Sequence, residues 1–375
     1  MPPTKPRARD LGIPFDGIPA AWNAITDVPG VEVGHTTLIS GEGELKPGDG
    51  PVRTGVTAIL PRGKQSQAPV FAGWFSQNGA GEMTGVAWID ESGFVDGPIV
   101  ITNTHSVGAV RDAVTAWRIR KKDIPVTTSG PGFFFSLPVV AETADLFLND
   151  INGFHVKPEH VFHALESADG GPALEGNVGG GTGMVSFGFK SGIGTSSRKL
   201  DESNGGYILG VMAQCNCGGR KQLRIAGAPV GIEMQDETLP VREMSSFTGD
   251  TGSIIIIIAT DAPLLPHQLK RLARRGTMGL ARTGSVSGNY SGDLLLAFST
   301  ANAEAGRRAG VAHLTMLPNN QMDPLFEATV QATEEAIINA LVAAETMTGV
   351  NDRRVIAIPH ERLRDVLRKF NRLIE

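Results

Sequence analysis

The sequence predicts a layered α+β fold, on three observations. Strand-like segments crowd the stretch from Ala24 to Thr104, helical and strand-like stretches interleave after it, and no regular βαβ alternation runs through the chain. Five consecutive isoleucines, Ile254 to Ile258, cannot alternate inside and outside polarity, so they must be covered on both faces as a central strand of a buried sheet. Later segments carry apolar residues at helical spacing opposite charged ones, the pattern of helices that cover a sheet from one side.

Composition narrows the class. With 41% hydrophobic and 19% charged residues in 375, the chain can bury a large core and disorder is excluded as its general state. A net charge of −5, with both signs interspersed, leaves no basic stripe to track phosphates, so nucleic acid is not expected as a partner. The longest apolar run, Ile254 to Ala259, falls far short of the roughly 20 residues of a membrane span. Met1 to Asp10 has no signal-peptide apolar segment, and a cytoplasmic protein with no membrane contact is expected.

Residues up to Pro19, rich in Pro, Lys and Arg, read as a surface arm. Val28-Pro-Gly-Val31, Val56 to Leu60 and Val86-Ala-Trp-Ile89 read as strands between breakers, followed by a strand at Ile99 to Thr102. Val107, Val110, Val114 and Trp117 then follow helical spacing, and Pro158 opens a short helix carrying Val161, Phe162 and Leu165. After the Gly-rich stretch Asn177 to Gly194, strands are expected at Tyr207 to Ala213 and Leu223 to Pro229, then a polar stretch from Glu233 to Asp250. Beyond the isoleucines, Leu265, Leu269 and Leu272 mark a helix, Leu294 to Phe298 a strand, Phe326 to Leu341 a long helix closed by Gly349, and Leu363 to Leu373 a last one.

Gly179-Gly-Gly-Thr-Gly183 lacks the Lys-Ser/Thr of a phosphate loop, so close backbone packing is the better reading. The two cysteines, Cys215 and Cys217, share a face on a strand; without a second Cys or His pair nearby they make a poor zinc site and read as small buried side chains. His155, His160 and His163 do not share one helical face, and no metal or other cofactor is expected.

Thr251-Gly-Ser253 stands at the mouth of the isoleucine strand, where a hydroxyl would sit on a rigid platform. Serine needs a base, and none of the eight histidines lies in a nucleophile elbow. A Gly-Ser before an apolar strand is ordinarily a turn ending. If the Gly252–Ser253 bond breaks, however, Ser253 gains an α-amino group with a pKa of about 7.7–8, suited to accept its own hydroxyl proton. In Ser291-Gly-Asp293, two residues on one side of an extended segment offer a hydroxyl and a carboxylate to hold that ammonium.

The segments Asn23-Ala-Ile-Thr-Asp-Val-Pro-Gly-Val-Glu-Val-Gly-His35, Asn103-Thr-His-Ser-Val-Gly108, Leu137-Pro-Val-Val-Ala-Glu-Thr143, Gly179 to Gly183, Thr251-Gly-Ser253, Ala259-Thr-Asp-Ala-Pro263 and Ser291-Gly-Asp293 resemble, in order, the L-aminopeptidase/D-Ala-esterase and β-aminopeptidase family. The resemblance implies a four-layer αββα sandwich, self-cleavage into residues 1–252 and 253–375, and a homotetramer of the resulting heterodimers. It implies Ser253 as nucleophile, its amine as base, Ser291 and Asp293 as the groups that tune the amine, and Asn216 as oxyanion donor. Glu142 matches the carboxylate that binds a substrate's free ammonium, and Phe133 and Ala144 fall in the substrate-binding set. Ala144 stands where several members carry an aromatic residue, which leaves open the choice among small L-, D- and β-amino acid peptides, amides and esters. An acyltransferase related to ornithine acetyltransferase, usually with a threonine nucleophile, and a noncatalytic binding protein on the same fold are the alternatives.

Overall fold

The computed structural model describes residues 5–66, 68–121, 135–237, 252–307 and 309–374. In chain order, the first part comprises β1 (Glu32–Ser40), β2 (Val52–Leu60), β3 (Val70–Gly79), α1 (Val86–Ser92), β4 (Phe94–Val95), β5 (Ile99–Asn103), α2 (Val107–Arg120), β6 (Val139–Thr143) and α3 (Pro158–Glu166). A short hairpin, β7 (Val185–Ser186) and β8 (Phe189–Lys190), precedes β9 (Ile193–Lys199), β10 (Ile208–Asn216) and α4 (Val230–Glu233). Then come β11 (Ser253–Thr260), α5 (Pro266–Arg282), β12 (Gly292–Ser299), α6 (Asp323–Val342), β13 (Met347–Thr348), β14 (Arg354–Val355) and α7 (His360–Lys369).

Two sheets organise this mixed α/β fold. One has the order β1-β2-β5-β6 and the other β4-β3-β12-β11-β10-β9, so the isoleucine strand β11 is interior, parallel to β12 and antiparallel to β10. Strand alternation divides the isoleucines: Ile255 and Ile257 pack with Ile99, Ile101, Val139 and Ala141 of the first sheet. Ile254, Ile256 and Ile258 pack with Leu269 and Leu272 of α5 and Ala336 and Ile337 of α6. A third apolar cluster joins Val56, Ala58, Val100 and Val140 to Val110 and Val114 of α2 and Val161 and Leu165 of α3. The expected cover on both faces of β11 is therefore present, and all five isoleucines are fully buried.

Several expectations are corrected. Val86 to Ile89 is the start of α1, not a strand: left-handed Gly85 and Gly93 bound one short helix that buries only Ile89. Val28 to Val31 is a turn leading into β1, and Leu223 to Pro229 is a loop with a single bridge between Ile225 and Ala228. The long helix ends at Val342, before Gly349. Residues before Pro19 do not form a surface arm throughout, since Ala8, Leu11 and Ile13 join the core and the Ala8 amide donates to buried Asn339 at 2.9 Å. Cys215 and Cys217 are not joined in a disulfide and are both buried in one apolar cluster.

That docked N-terminal segment is held by charge. Glu335 of α6, fully buried, accepts from Arg9 (2.8 and 2.9 Å), Arg198 (2.7 Å) and Asn23 (2.6 Å). Burial alone would raise its pKa, but the bonds from Arg9 and the charges of Arg198 and Arg9 outweigh it and hold the carboxyl below its usual range. A carboxylate with a lowered folded pKa contributes stability that is fully present above its unfolded value and is lost as pH falls through the folded one. Thermal unfolding across the acidic range checks this: Glu335→Gln is expected to lose about 3–5 kcal/mol at neutral pH, because Arg198 is left buried without its partner. The variant should also lose part of the wild type's destabilisation on acidification.

Candidate active site

Strand register assembles the site. Ser253, the first residue of β11, pairs with Asn216 at the end of β10 on one side and with Gly292 at the start of β12 on the other. One row across the sheet therefore carries Asn216, Ser253 and the Ser291-Gly-Asp293 segment. Ser253 is 6% exposed, while Ser291 and Asp293 are fully buried. The Ser291 hydroxyl donates to Asp293 Oδ1 at 2.6 Å, as the shared side of an extended segment predicts.

The faces differ. Ser253 has the parity of Ile255 and Ile257 and turns its side chain toward the first sheet, whereas Asp293 has the parity of Leu295, on the α5 and α6 side. Asn216 shares the Ser253 side: its Nδ2 donates to the Ala144 carbonyl at 3.0 Å, and its Oδ1 accepts from the Val185 amide at 3.0 Å. The side-chain amide is thereby fixed in orientation with a second Nδ2 hydrogen to spare.

Gly252 precedes this row with no room for a side chain. A Cβ there would lie 2.0 Å from the Asn216 carbonyl oxygen and 2.7 Å from Cys217 Cα. The Gly252–Ser253 peptide is thus pressed against the residue that pairs with Ser253. Thr251 lies outside the described residues, as does Phe133.

Glu142 comes from the other sheet. Strand β3 ends at Gly79, which pairs with Gly292; the chain then crosses to the first sheet, where Met83 bridges Ala141 of β6. Gly81 lies in the crossing, and a Cβ on it would be 3.0 Å from Gly292 Cα and 3.2 Å from Glu142 Oε1. A single glycine backbone therefore separates Glu142 from the Ser253 row. The carboxylate is 3% exposed, accepts from the Glu82 amide at 2.9 Å and from the Thr104 hydroxyl, and is pushed above its usual pKa by burial, against these hydrogen bonds. A buried carboxylate with two neutral donors is a place for a cation.

Glu82, Thr104 and Gly81 were not picked out from sequence as parts of a site. Thr104 had a weak signal, a hydroxyl directly after the strand that runs beside β6; Glu82 and Gly81 had none, because their role comes from the crossing. The Gly-rich segment packs as expected, since a Cβ on Gly180 would lie 2.2 Å from Gln214 Oε1 and 2.8 Å from the Ile101 carbonyl. His155, His160 and His163 bind separate partners, Asp150, the Lys157 amide and Thr36. Among the described residues no group of three or more His, Cys, Asp or Glu could hold a metal, and no helix is long and apolar enough to cross a membrane.

Comparison with known proteins gives the family. Residues 23–355 match the family model described as peptidase family S58. The chain is 55% identical to a β-peptidyl aminopeptidase, BapA, of Sphingosinicella microcystinivorans, over 98% of this chain and 93% of that one. The structure of an L-aminopeptidase D-Ala-esterase/amidase from Ochrobactrum anthropi, described as a prototype for the serine aminopeptidases and a variant of the Ntn hydrolase fold, superposes with a TM-score of 0.90 at 48% identity, over 98% of this chain and all of the other. A Burkholderia sp. β-aminopeptidase follows at 0.87 and 45%, over 97% and 99% of the two chains. The chain belongs to peptidase family S58 and is an aminopeptidase that releases N-terminal residues.

Proposed function

We propose that Ser253 is the nucleophile, freed by scission of the Gly252–Ser253 bond, and that Glu142 receives the free ammonium of a small peptide, amide or ester. The observation that carries this is the row Asn216–Ser253–Gly292, joined to Glu142 across Gly81. In maturation the Ser253 hydroxyl attacks the Gly252 carbonyl, the acyl group moves from nitrogen to oxygen, and water hydrolyses the ester. This yields chains 1–252 and 253–375 and a new α-amine. In turnover that amine takes the hydroxyl proton, Oγ attacks the substrate carbonyl, the leaving group departs with the proton, and water releases the acyl group. The spare Nδ2 hydrogen of Asn216 suits the developing oxyanion.

The opposite facing of Ser253 and Asp293 supports separate duties. A carboxylate across the sheet from Oγ can address the strand-end nitrogen without competing for the hydroxyl, so Ser291 and Asp293 are assigned to the amine. The three apolar clusters support a four-layer αββα arrangement, and family membership supports a homotetramer of heterodimers. The named activity of the relatives supports β-amino acid residues among the substrates, beside small L- and D-residues. Ala144 fits this range: its carbonyl holds Asn216, while its side chain is only a methyl beside the site.

Mass spectrometry of purified protein tests the nucleophile first. Wild type is expected to give fragments ending at Gly252 and beginning at Ser253, and Ser253→Ala a single chain; efficient scission of the variant at the same bond would overturn the assignment. For Glu142→Gln, removal of a charged hydrogen-bond partner should raise KM for substrates with a free amine on the order of 10- to 100-fold. N-acetylated substrates should already be poor for wild type, and equal hydrolysis of blocked and free substrates would remove Glu142 from this role. Matured Asp293→Ala should shift the acidic limb of the rate profile to lower pH, since the ammonium of Ser253 loses a stabilising charge and its pKa falls. An unmoved limb would show that Asp293 does not tune the amine.

A further inference from the structure

Lys190 is a lysine with no access to solvent, at the end of the β8 strand of the short hairpin. Its Nζ donates to two backbone carbonyls, Met184 O at 2.8 Å and Ser191 O at 2.5 Å. Burial pushes the Lys190 amine well below its usual pKa, and a methionine of similar length would fill the same space without burying a polar group. Packing alone gives no reason for a hydrogen-bonding amine here.

The acceptor supplies one. Met184 O and Val185 N–H are the two ends of a single peptide group. Its oxygen receives Lys190 Nζ, and its N–H donates to Asn216 Oδ1 at 3.0 Å. The Asn216 Nδ2 in turn donates to Ala144 O and keeps one hydrogen on the Ser253 side of the sheet. Both peptide and carboxamide are polarisable through their planar resonance, and linked hydrogen bonds strengthen one another in a low-dielectric interior.

We infer that Lys190 is a positioning residue for the oxyanion site: through the Met184–Val185 peptide it orients and polarises the Asn216 carboxamide, making Nδ2–H a stronger donor to the tetrahedral intermediate. The inference rests on the reading of Asn216 as the oxyanion donor. The relay runs in one direction, from the Lys190 N–H to carbonyl, from peptide N–H to amide oxygen, and from amide N–H to the negative charge that forms on substrate. The hairpin is held against the end of β10 independently, since Cys217 N donates to the Ser186 hydroxyl at 3.2 Å and the Phe187 amide donates to the Cys217 carbonyl at 2.8 Å.

A double-mutant cycle on matured enzyme tests it, with kcat and KM measured for a small amino acid p-nitroanilide. Lys190→Met is expected to lower kcat on the order of tenfold with little change in KM, a smaller loss than removal of a whole oxyanion donor. Lys190→Gln, which keeps a donor for Met184 O, should recover part of the loss. In an Asn216→Ala background Lys190→Met should have almost no further effect, because the relay has lost its last member. An undiminished effect of Lys190→Met in that background, with Asn216→Ala itself slow, would overturn the relay while leaving Asn216 as donor. Unchanged kcat in Asn216→Ala would overturn the donor reading and the relay with it. If thermal unfolding shows that Lys190→Met does not fold, the same cycle with Lys190→Gln decides by the same criteria.

Discussion

Burial of the isoleucine strand from both sides is the constraint on which the other features depend. Ile255 and Ile257 are held by the facing sheet, and Ile254, Ile256 and Ile258 by α5 and α6. Each such side chain contributes about 1.5–3 kcal/mol relative to exposure, and a slip of one residue would exchange the two sets between unlike surroundings. Register is therefore fixed tightly, and Ser253, as the first residue of that strand, inherits its precision. Its neighbours Asn216 and Gly292 are placed by the same ladder, so three parts of the site from distant sequence positions are aligned by hydrogen bonds far from any chemistry.

The other half of the site depends on the passage of one chain segment between two sheets. Strand β3 leaves the larger sheet beside Gly292 and reaches β6 within a few residues, and the close fit at Gly81 brings Glu142 to the Ser253 row. The crossing also supplies the Glu82 amide that holds the carboxylate. In the proposed reading, the group that receives the amino terminus and the nucleophile come from different sheets, and the spacing between them is set by a backbone with no side chain in the way.

Features that depend on local pattern were legible in the sequence. Strand β11, helices α2, α3 and α5, and the pairing of Ser291 with Asp293 all follow from periodicity over a few residues. Errors came where local pattern was short or ambiguous. Val86-Ala-Trp-Ile89 is apolar enough for a strand, but the two left-handed glycines around it close a helix. The N-terminal segment is polar on inspection, yet Arg7 and Arg9 are answered by Glu175 and Glu335, more than a hundred residues away, and Ala8 and Ile13 are drawn into the core with them. Glu142 could be picked out through the family resemblance, whereas its donors could not, because no sequence pattern encodes the crossing. Lys190 carries no sequence signal of a role; only its burial against Met184 gives it a part.

The account stands on acyl transfer to a serine that is also a chain terminus, and covalent trapping tests this most directly. The enzyme would be mixed with a slowly hydrolysed ester of a small amino acid, quenched in acid during steady state and measured by intact mass and peptide mapping. The expected result is an aminoacyl adduct on the 253–375 chain alone, mapped to the side-chain oxygen of Ser253, with chain 1–252 unmodified. An adduct on any other residue, or steady-state acylation of a chain still joined at Gly252–Ser253, would contradict it.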